Sequence, residues 1–373
     1  MQAVMFKKET TVRGQRIPAG RPHLFFNSLV RQLAHEMDTR DLLVQDVPDL
    51  PLWDGKRPVR NMLVFAGGGL GDKIQSTCAF RKLSAQIGCP VDVAIDTADP
   101  WENLPYVGTV HQWGIPWEQL QAYDAVCSFE DVLGHANERT DHLADLLAER
   151  CMVGPLDPMV NGFPGEFRCD WVFGPTEQAA TWLPPKESVW VAVQAQSYGF
   201  TRSWPMENII RLCDLLVAEK KRNINVLLLG TADQGPPWSL PIHNWTGLLP
   251  DPPEGIVNLC GFFSSIRQTA VLLRQCDLLI APDSGLLHLA GALSVPSIGL
   301  YGPHTYETRG KYFLTQNAIM ASDTTDPRCP CHCHSDQQSG QAPCGLKYCR
   351  LMAQITSDMV FEEAMRVADL YGW

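Results

Sequence analysis

The sequence predicts an α/β protein built from two doubly wound, parallel-sheet domains in series, and three observations carry that prediction. From Asn61 onward, short apolar runs alternate with segments of helical periodicity, the pattern of strand-helix-strand units. The alternation breaks at the Pro-bearing stretch 174–188 and then restarts. Two strands run straight into loops that open helices, at residues 67–72 and 282–285, where sheets of this kind place their ligands.

The elements follow in order. Residues 3–6 and 42–45 read as strands around a turn at Arg13-Gly14 and a helix at 27–37, with Pro48, Pro51 and Pro58 punctuating the exit; residues 1–57 are expected to be a small appendage for assembly or acceptor docking. Strands at 62–66, 91–95 and 125–129 and helices at 72–86 and 142–151 make a first Rossmann-like domain over 58–180. After the linker come strands at 189–193, 225–229, 256–259, 278–281 and 297–301, with helices at 206–220, 266–275 and 285–293. They make a second such domain over 186–355, and a cleft is expected at the carboxyl ends of the two sheets. A last helix, 357–370, opens at a Thr356/Ser357 cap and is expected to pack back on the hinge.

Composition narrows the function. The chain has 373 residues, 45% hydrophobic and 19% charged, enough for two to three cored domains at roughly 150 residues each. Thirty Lys and Arg against 41 Asp and Glu give a net charge of −11, which repels polyanions, so nucleic acid is not an expected partner. The weakly charged stretch 278–303 contains Pro282, Asp283, His288 and Pro296 and reads as strand, loop, helix and strand, not a bilayer span. Residues 1–10 hold Lys7, Lys8 and Glu9 without an apolar core, so a cytoplasmic location is expected.

Three loops carry residues suited to chemistry. Gly67-Gly68-Gly69-Leu70-Gly71-Asp72 lets backbone N–H groups approach an oxygen-rich ligand. A dinucleotide fingerprint fails there, because Asp72 or Ile74 stands at the third glycine position; Asp96, after the second strand, keeps an NAD reading open. A carboxylate at a helix start repels pyrophosphate, so Asp72 is better suited to take a proton from a hydroxyl, or simply to cap its own helix. In Asp283-Ser284-Gly285-Leu286-Leu287-His288, Ser284 and Gly285 offer N–H groups to a diphosphate, and Asp283 can accept from sugar hydroxyls; His288 is either part of that site or an ordinary core histidine. Arg202, before Trp204-Pro205, is either a forked phosphate donor or a solvated surface arginine.

Together, Gly-Gly-Leu-Gly-Asp at 68–72, Trp204-Pro205, Asp-Ser-Gly-Leu-Leu-His-Leu-Ala at 283–290, Leu300-Tyr301-Gly302-Pro303 and a late cysteine cluster before Ile355-Thr356 resemble the ADP-heptose heptosyltransferases of glycosyltransferase family 9. The resemblance covers about residues 60–370 and implies a GT-B fold. It further implies inverting, metal-independent transfer of a heptose-like sugar from a nucleotide diphosphate, most simply ADP-heptose, to a hydroxyl of a cell-envelope glycan or a protein. It assigns Asp72 as general base, with Gly69 and Gly71 in the acceptor loop. Asp283, Ser284, Gly285 and His288 fall on the donor motif, Arg202 on a phosphate-contacting lysine, and Ser197 on a threonine near the phosphates. The N-terminal appendage and the Pro- and Trp-rich stretch 231–249 depart from the family pattern. A nucleotide-sugar epimerase of the same fold and a noncatalytic sugar-nucleotide-binding assembly module remain alternatives, and homo-oligomerisation is left open.

Of thirteen cysteines, eight are scattered through apolar segments and are expected to be inert buried thiols. The other five, Cys329, Cys331, Cys333, Cys344 and Cys349, lie with His332 and His334 within 21 residues poor in apolar material. A structural metal held by four thiolates, zinc or iron, would order such a finger; free thiols or labile disulfides are the alternatives. Some protein heptosyltransferases that this chain resembles carry an iron-binding cysteine finger, though the spacing here differs.

Overall fold

The computed structural model describes residues 2–12, 15–25, 27–36, 41–46, 51–95, 99–112, 114–129, 132, 141–154, 156, 159–160, 163–164, 169–184, 188–194, 197, 202–231, 253–321 and 349–373. The chain divides into two compact units, Met1–Glu138 with Leu143–Val172, and Arg139–His142 with Phe173–Trp373.

The first unit begins with β1 (Gln2–Phe6), a β2 (Thr10–Val12)–β3 (Gln15–Ile17) hairpin, β4 (Pro22–Phe25), α1 (Asn27–Glu36) and β5 (Leu42–Asp46). Next come β6 (Met62–Phe65), α2 (Leu70–Ile87), β7 (Val91–Ile95), β8 (Val107–Gln112), β9 (Ile115–Pro116), α3 (Trp117–Leu120), β10 (Ala125–Ser128) and α4 (Leu143–Arg150). A short β11 (Met159–Val160)–β12 (Phe163–Pro164) pair closes the unit. Strands β10-β6-β7-β8 form a parallel sheet, as the alternation predicts. The segment expected to be an appendage forms an antiparallel sheet, β5-β1-β4-β9, whose last strand comes from the following residues. Val4, Phe6, Leu24 and Phe25 share one hydrophobic cluster with Leu63, Phe65, Ala94 and Val126, so residues on both sides of the Pro-rich exit bury one another's apolar surface.

The second unit starts with α5 (Pro175–Ala179), inside the stretch expected to be a plain linker. Pro175 sits in the first turn, where its missing N–H costs nothing, and so initiates the helix rather than breaking it. Glu177 receives a bidentate pair from Arg267, both contacts at 2.6 Å, while Arg274 donates to the carbonyls of Glu177, Gln178 and Ala180. Then follow β13 (Val189–Gln194), α6 (Met206–Ala218), β14 (Ile224–Leu229), β15 (Ile256–Asn258) and α7 (Ile266–Leu273). The remainder is β16 (Leu278–Pro282), α8 (Gly285–Leu293), β17 (Ser297–Tyr301), α9 (Tyr306–Arg309), β18 (Gln316–Met320), α10 (Arg350–Gln354) and α11 (Ser357–Tyr371). The six strands are all parallel in the order β15-β14-β13-β16-β17-β18. Buried on both faces, the inner strands β13, β14 and β16 read as the continuous apolar runs VAV, VLLL and LLIA rather than as an alternation.

The closing helix α11 is capped by Thr356, whose side chain accepts from the Met359 amide, and its Val360, Ala364 and Val367 enter the same cluster as Leu212 and Leu216 of α6. The Trp204 indole and the Asn208 amide both donate to the Ile355 carbonyl, at 2.7 and 3.1 Å. The Trp-Pro pair that opens α6 thereby ties down the entry to the last helix.

Candidate functional site

In a doubly wound sheet the ligand crevice lies at the carboxyl ends of the two strands where the order reverses. Here those strands are β13 and β16, neighbours in space that are distant in sequence. Gln194 ends β13 and Pro282 ends β16, so the residues after them, Ser197 and Asp283–Gly285, meet at the reversal point.

Five of the six expected donor-site residues are joined there by side-chain contacts or adjacency in the chain: Asp283, Ser284, His288, Arg202 and Ser197. Asp283 is 3% exposed; Arg202 Nη1 lies 3.5 Å from its Oδ2 and donates to its backbone carbonyl at 3.3 Å. His288 Nε2 is 3.3 Å from Oδ1, and the Ser197 hydroxyl donates to the Asp283 carbonyl at 3.4 Å. Burial pushes the Asp283 carboxyl up, but its neighbours His288, Arg202 and His304 outweigh that and hold it well below the ordinary carboxylate range. The group is therefore an anion at neutral pH, buried beside the Arg202 guanidinium.

Gly285, the sixth, is the first residue of α8, and Ser284 is its N-cap with an extended backbone, the geometry from which a serine normally caps. Its side chain makes no cap hydrogen bond; the hydroxyl donates instead to Gln194 Oε1 at 2.5 Å. Gln194 went unnoticed in the sequence, where its one signal is an amide at the end of an apolar strand. Ser284, His288 and Asp283 are all buried and form a polar cluster with Arg202, whose side chain is 20% exposed.

In the first unit, the glycine loop follows β6. Gly68 has φ +89°, a left-handed conformation that favours glycine. Gly69 is the N-cap of α2, Gly71 lies in its first turn, and Asp72, at the third helical position, accepts the Gly69 amide on Oδ2 at 2.7 Å. The helix-capping role considered for Asp72 is present, exercised from inside the first turn.

Seven of the eight scattered cysteines are buried, and Cys89 is half-buried. Burial pushes the thiols of Cys151, Cys169 and Cys276 up, and that of Cys213 up to about 12, as inert core thiols require. Cys349 is buried in the second unit's hydrophobic cluster. Cys329, Cys331, Cys333 and Cys344, with Asp96 and residues 232–249, lie outside the described residues. Among the described residues no group of three or more His, Cys, Asp or Glu side chains is arranged to hold a metal, and no helix is long and apolar enough to cross a membrane.

Residues 174–337, which span the donor-type loop, match the model of glycosyltransferase family 9 (heptosyltransferase). Residues 174–337 are thus similar to a glycosyltransferase family 9 domain. A stretch of 107 residues is 30% identical to lipooligosaccharide heptosyltransferase 2 of Haemophilus influenzae, covering 28% of this chain and 29% of that protein's length. The fold is that of the GT-B heptosyltransferases. E. coli ADP-heptose lipopolysaccharide heptosyltransferase II superposes with a TM-score of 0.60 at 17% identity, over 84% of this chain and 100% of that one. TibC, an iron-containing dodecameric glycosyltransferase of enterotoxigenic E. coli, gives 0.60 at 14% identity over 99% and 91%. TibC in complex with ADP-D-beta-D-heptose gives 0.56 at 14% identity over 99% and 90%. The matched region begins at Gly174, the N-cap of α5, so that helix falls inside it.

Proposed function

We propose that the protein is an inverting glycosyltransferase that moves a heptose from ADP-heptose to a hydroxyl of a cell-envelope glycan or a protein. The observation that carries this reading is the anionic Asp283, buried beside Arg202 and His288 at the start of α8, at the reversal point of a family 9 domain. The positive end of α8 and the Arg202 guanidinium suit the diphosphate that departs with the nucleotide, and Asp283 suits the donor's sugar hydroxyls. Asp72, held by the Gly69 amide through Oδ2, keeps Oδ1 to take the acceptor's proton as the new glycosidic bond forms. The ADP-heptose in the TibC complex and the name of the Haemophilus relative support the choice of donor.

The same reading extends to assembly. The iron and the dodecamer of TibC support a structural iron or zinc among Cys329, Cys331, Cys333, Cys344 and Cys349, and a homo-oligomer. Transfer itself needs no metal in this reading, and the cytoplasm, where nucleotide sugars are made, is the working compartment. Residues 1–57 and the 329–349 finger serve assembly or acceptor docking.

The test is incubation with ADP-heptose and a panel of glycan and peptide acceptors, read by mass spectrometry of the products. A heptose adduct and free ADP are expected. Asp72→Ala should lose roughly 10²-fold or more of the rate while binding ADP as the parent does. Donor that stays intact with every acceptor sinks the function, and full turnover by the Asp72 variant sinks the base assignment.

A further inference from the structure

The imidazole of His288 touches more than the Asp283 carboxylate. His288 stands one turn into α8, with Nε2 3.3 Å from Asp283 Oδ1. The ring of Phe313, in the stretch between α9 and β18, has its centroid 5.6 Å from that of the imidazole and is tilted to it by 50°. Aromatic rings attract one another at this separation. Both residues are buried. The Phe313 amide donates to the Gly310 carbonyl at 2.9 Å and its carbonyl accepts the Gln316 amide at 3.0 Å, so main-chain bonds in both directions fix where the ring can go.

The ring reaches the imidazole because one side chain is missing. Gly291 lies three residues after His288 on α8, so the two share a face of the helix. A Cβ at Gly291 would stand 2.1 Å from Phe313 Cδ1 and 2.5 Å from its Cε1 and Cγ, far inside van der Waals contact. The ring therefore rests on the bare Cα of Gly291. Glycine inside a helix is otherwise a cost, and the helical backbone here does not call for it; what it supplies is a seat for Phe313.

We infer that Phe313, seated on Gly291, is a positioning residue for His288: it backs the imidazole against Asp283 and so sets one wall of the pocket that receives the donor. The plane of a histidine turns easily about its last torsion, and packing against a second ring restrains it. An imidazole already held in place costs an incoming ligand nothing to order. This role rests on the donor-site reading above and extends it to a residue outside the donor motif.

The experiment combines calorimetric titration with ADP, thermal unfolding, and side-chain NMR of the full chain carrying isotope-labelled histidine, on the parent, Phe313→Leu, Gly291→Ala and Val360→Ala. The His288 signals are identified as those missing from His288→Asn. Phe313→Leu keeps an apolar side chain and removes the ring; Gly291→Ala puts a methyl group where the ring rests. Each should shift the His288 imidazole signals and weaken ADP binding about five-fold, the order of what an aromatic pair contributes. Val360→Ala, in the α11 part of the core, should melt at a lower temperature while its His288 signals match the parent's and its ADP affinity stays within about two-fold. A Phe313→Leu protein that loses only melting temperature, as the core variant does, overturns the inference and leaves the donor site in place. Shifted signals with parent affinity, or weaker binding with the signals at their parent positions, overturns it too. If the parent binds no ADP, the donor-site reading fails and the inference falls with it. Should Phe313→Leu fail to fold, Phe313→Met and Gly291→Ala make the same comparison.

Discussion

Replacing Asp283 with asparagine removes one charge and almost no volume, which makes it a direct probe of the buried pocket. The carboxylate is 3% exposed, with Arg202 Nη1 at 3.5 Å and His288 Nε2 at 3.3 Å. At an effective dielectric of 20, a unit pair at 4 Å attracts by about 4 kcal/mol, and breaking a buried pair costs about 3–5 kcal/mol because the partner is left uncompensated. The Arg202 side chain keeps 20% of its surface in water, so the lower figure applies. Asp283→Asn should therefore lose about 3 kcal/mol at pH 7, a fall in melting temperature of about 6–12 °C for a unit of this size. The pH dependence gives the decisive reading. An unfolded aspartate takes its proton near pH 3.9, while the folded Asp283 stays ionised well below that. As the pH drops below about 4, the unfolded state binds more protons, so wild-type stability is full above this range and declines beneath it. The asparagine variant lacks this component, and the gap between the two proteins should narrow below pH 4. Urea unfolding at pH 7, 5, 4 and 3 measures it. A gap that is absent at pH 7, or constant down to pH 3, refutes the assignment of Asp283 as a buried anion.

Glu177→Ala should cost about 2 kcal/mol in the same assay, since it strips Arg267 of a bidentate partner and Gly174 of its side-chain acceptor. The hydrogen bond from Arg267 leads the effects that lower the Glu177 carboxyl below its usual range, so the stability it adds is present above about pH 4.5 and is lost as the folded group takes its proton. Iodoacetamide applied to the native protein at pH 7.5, followed by peptide mass spectrometry, should leave Cys151, Cys169, Cys213 and Cys276 unmodified until urea unfolds the chain.

The second unit was the more legible in the sequence, for a physical reason. Its inner strands are buried on both faces and flanked by glycine, proline or serine, and the bounds 285–293 and 297–301 expected from the sequence are those of the fold. The first unit hid more. Strand β8, VGTVHQ, is half-exposed at a sheet edge and carries little apolar signal, and β9 has two residues whose pairing with β4 is nonlocal. Helix α5 was masked by the proline that starts it. At the site, Arg202, Asp283, Ser284 and His288 stand out in the sequence as polar residues in or beside strand-to-helix turns, and the structure brings them together. Gln194 could not be read, because its hydrogen-bond partner Ser284 lies far along the chain at the start of α8, and no pattern along the chain encodes that pairing.

The core that supports the pocket is assembled from both ends of its unit: Val191 and Val193 of β13 share their cluster with Val360, Ala364 and Val367 of α11. On the ribosome, β13 emerges long before α11 exists, so its cluster lacks part of its cover until residue 367 has been made. A transcript cut short in the final turns would thus yield a more open, protease-sensitive chain in place of a trimmed protein.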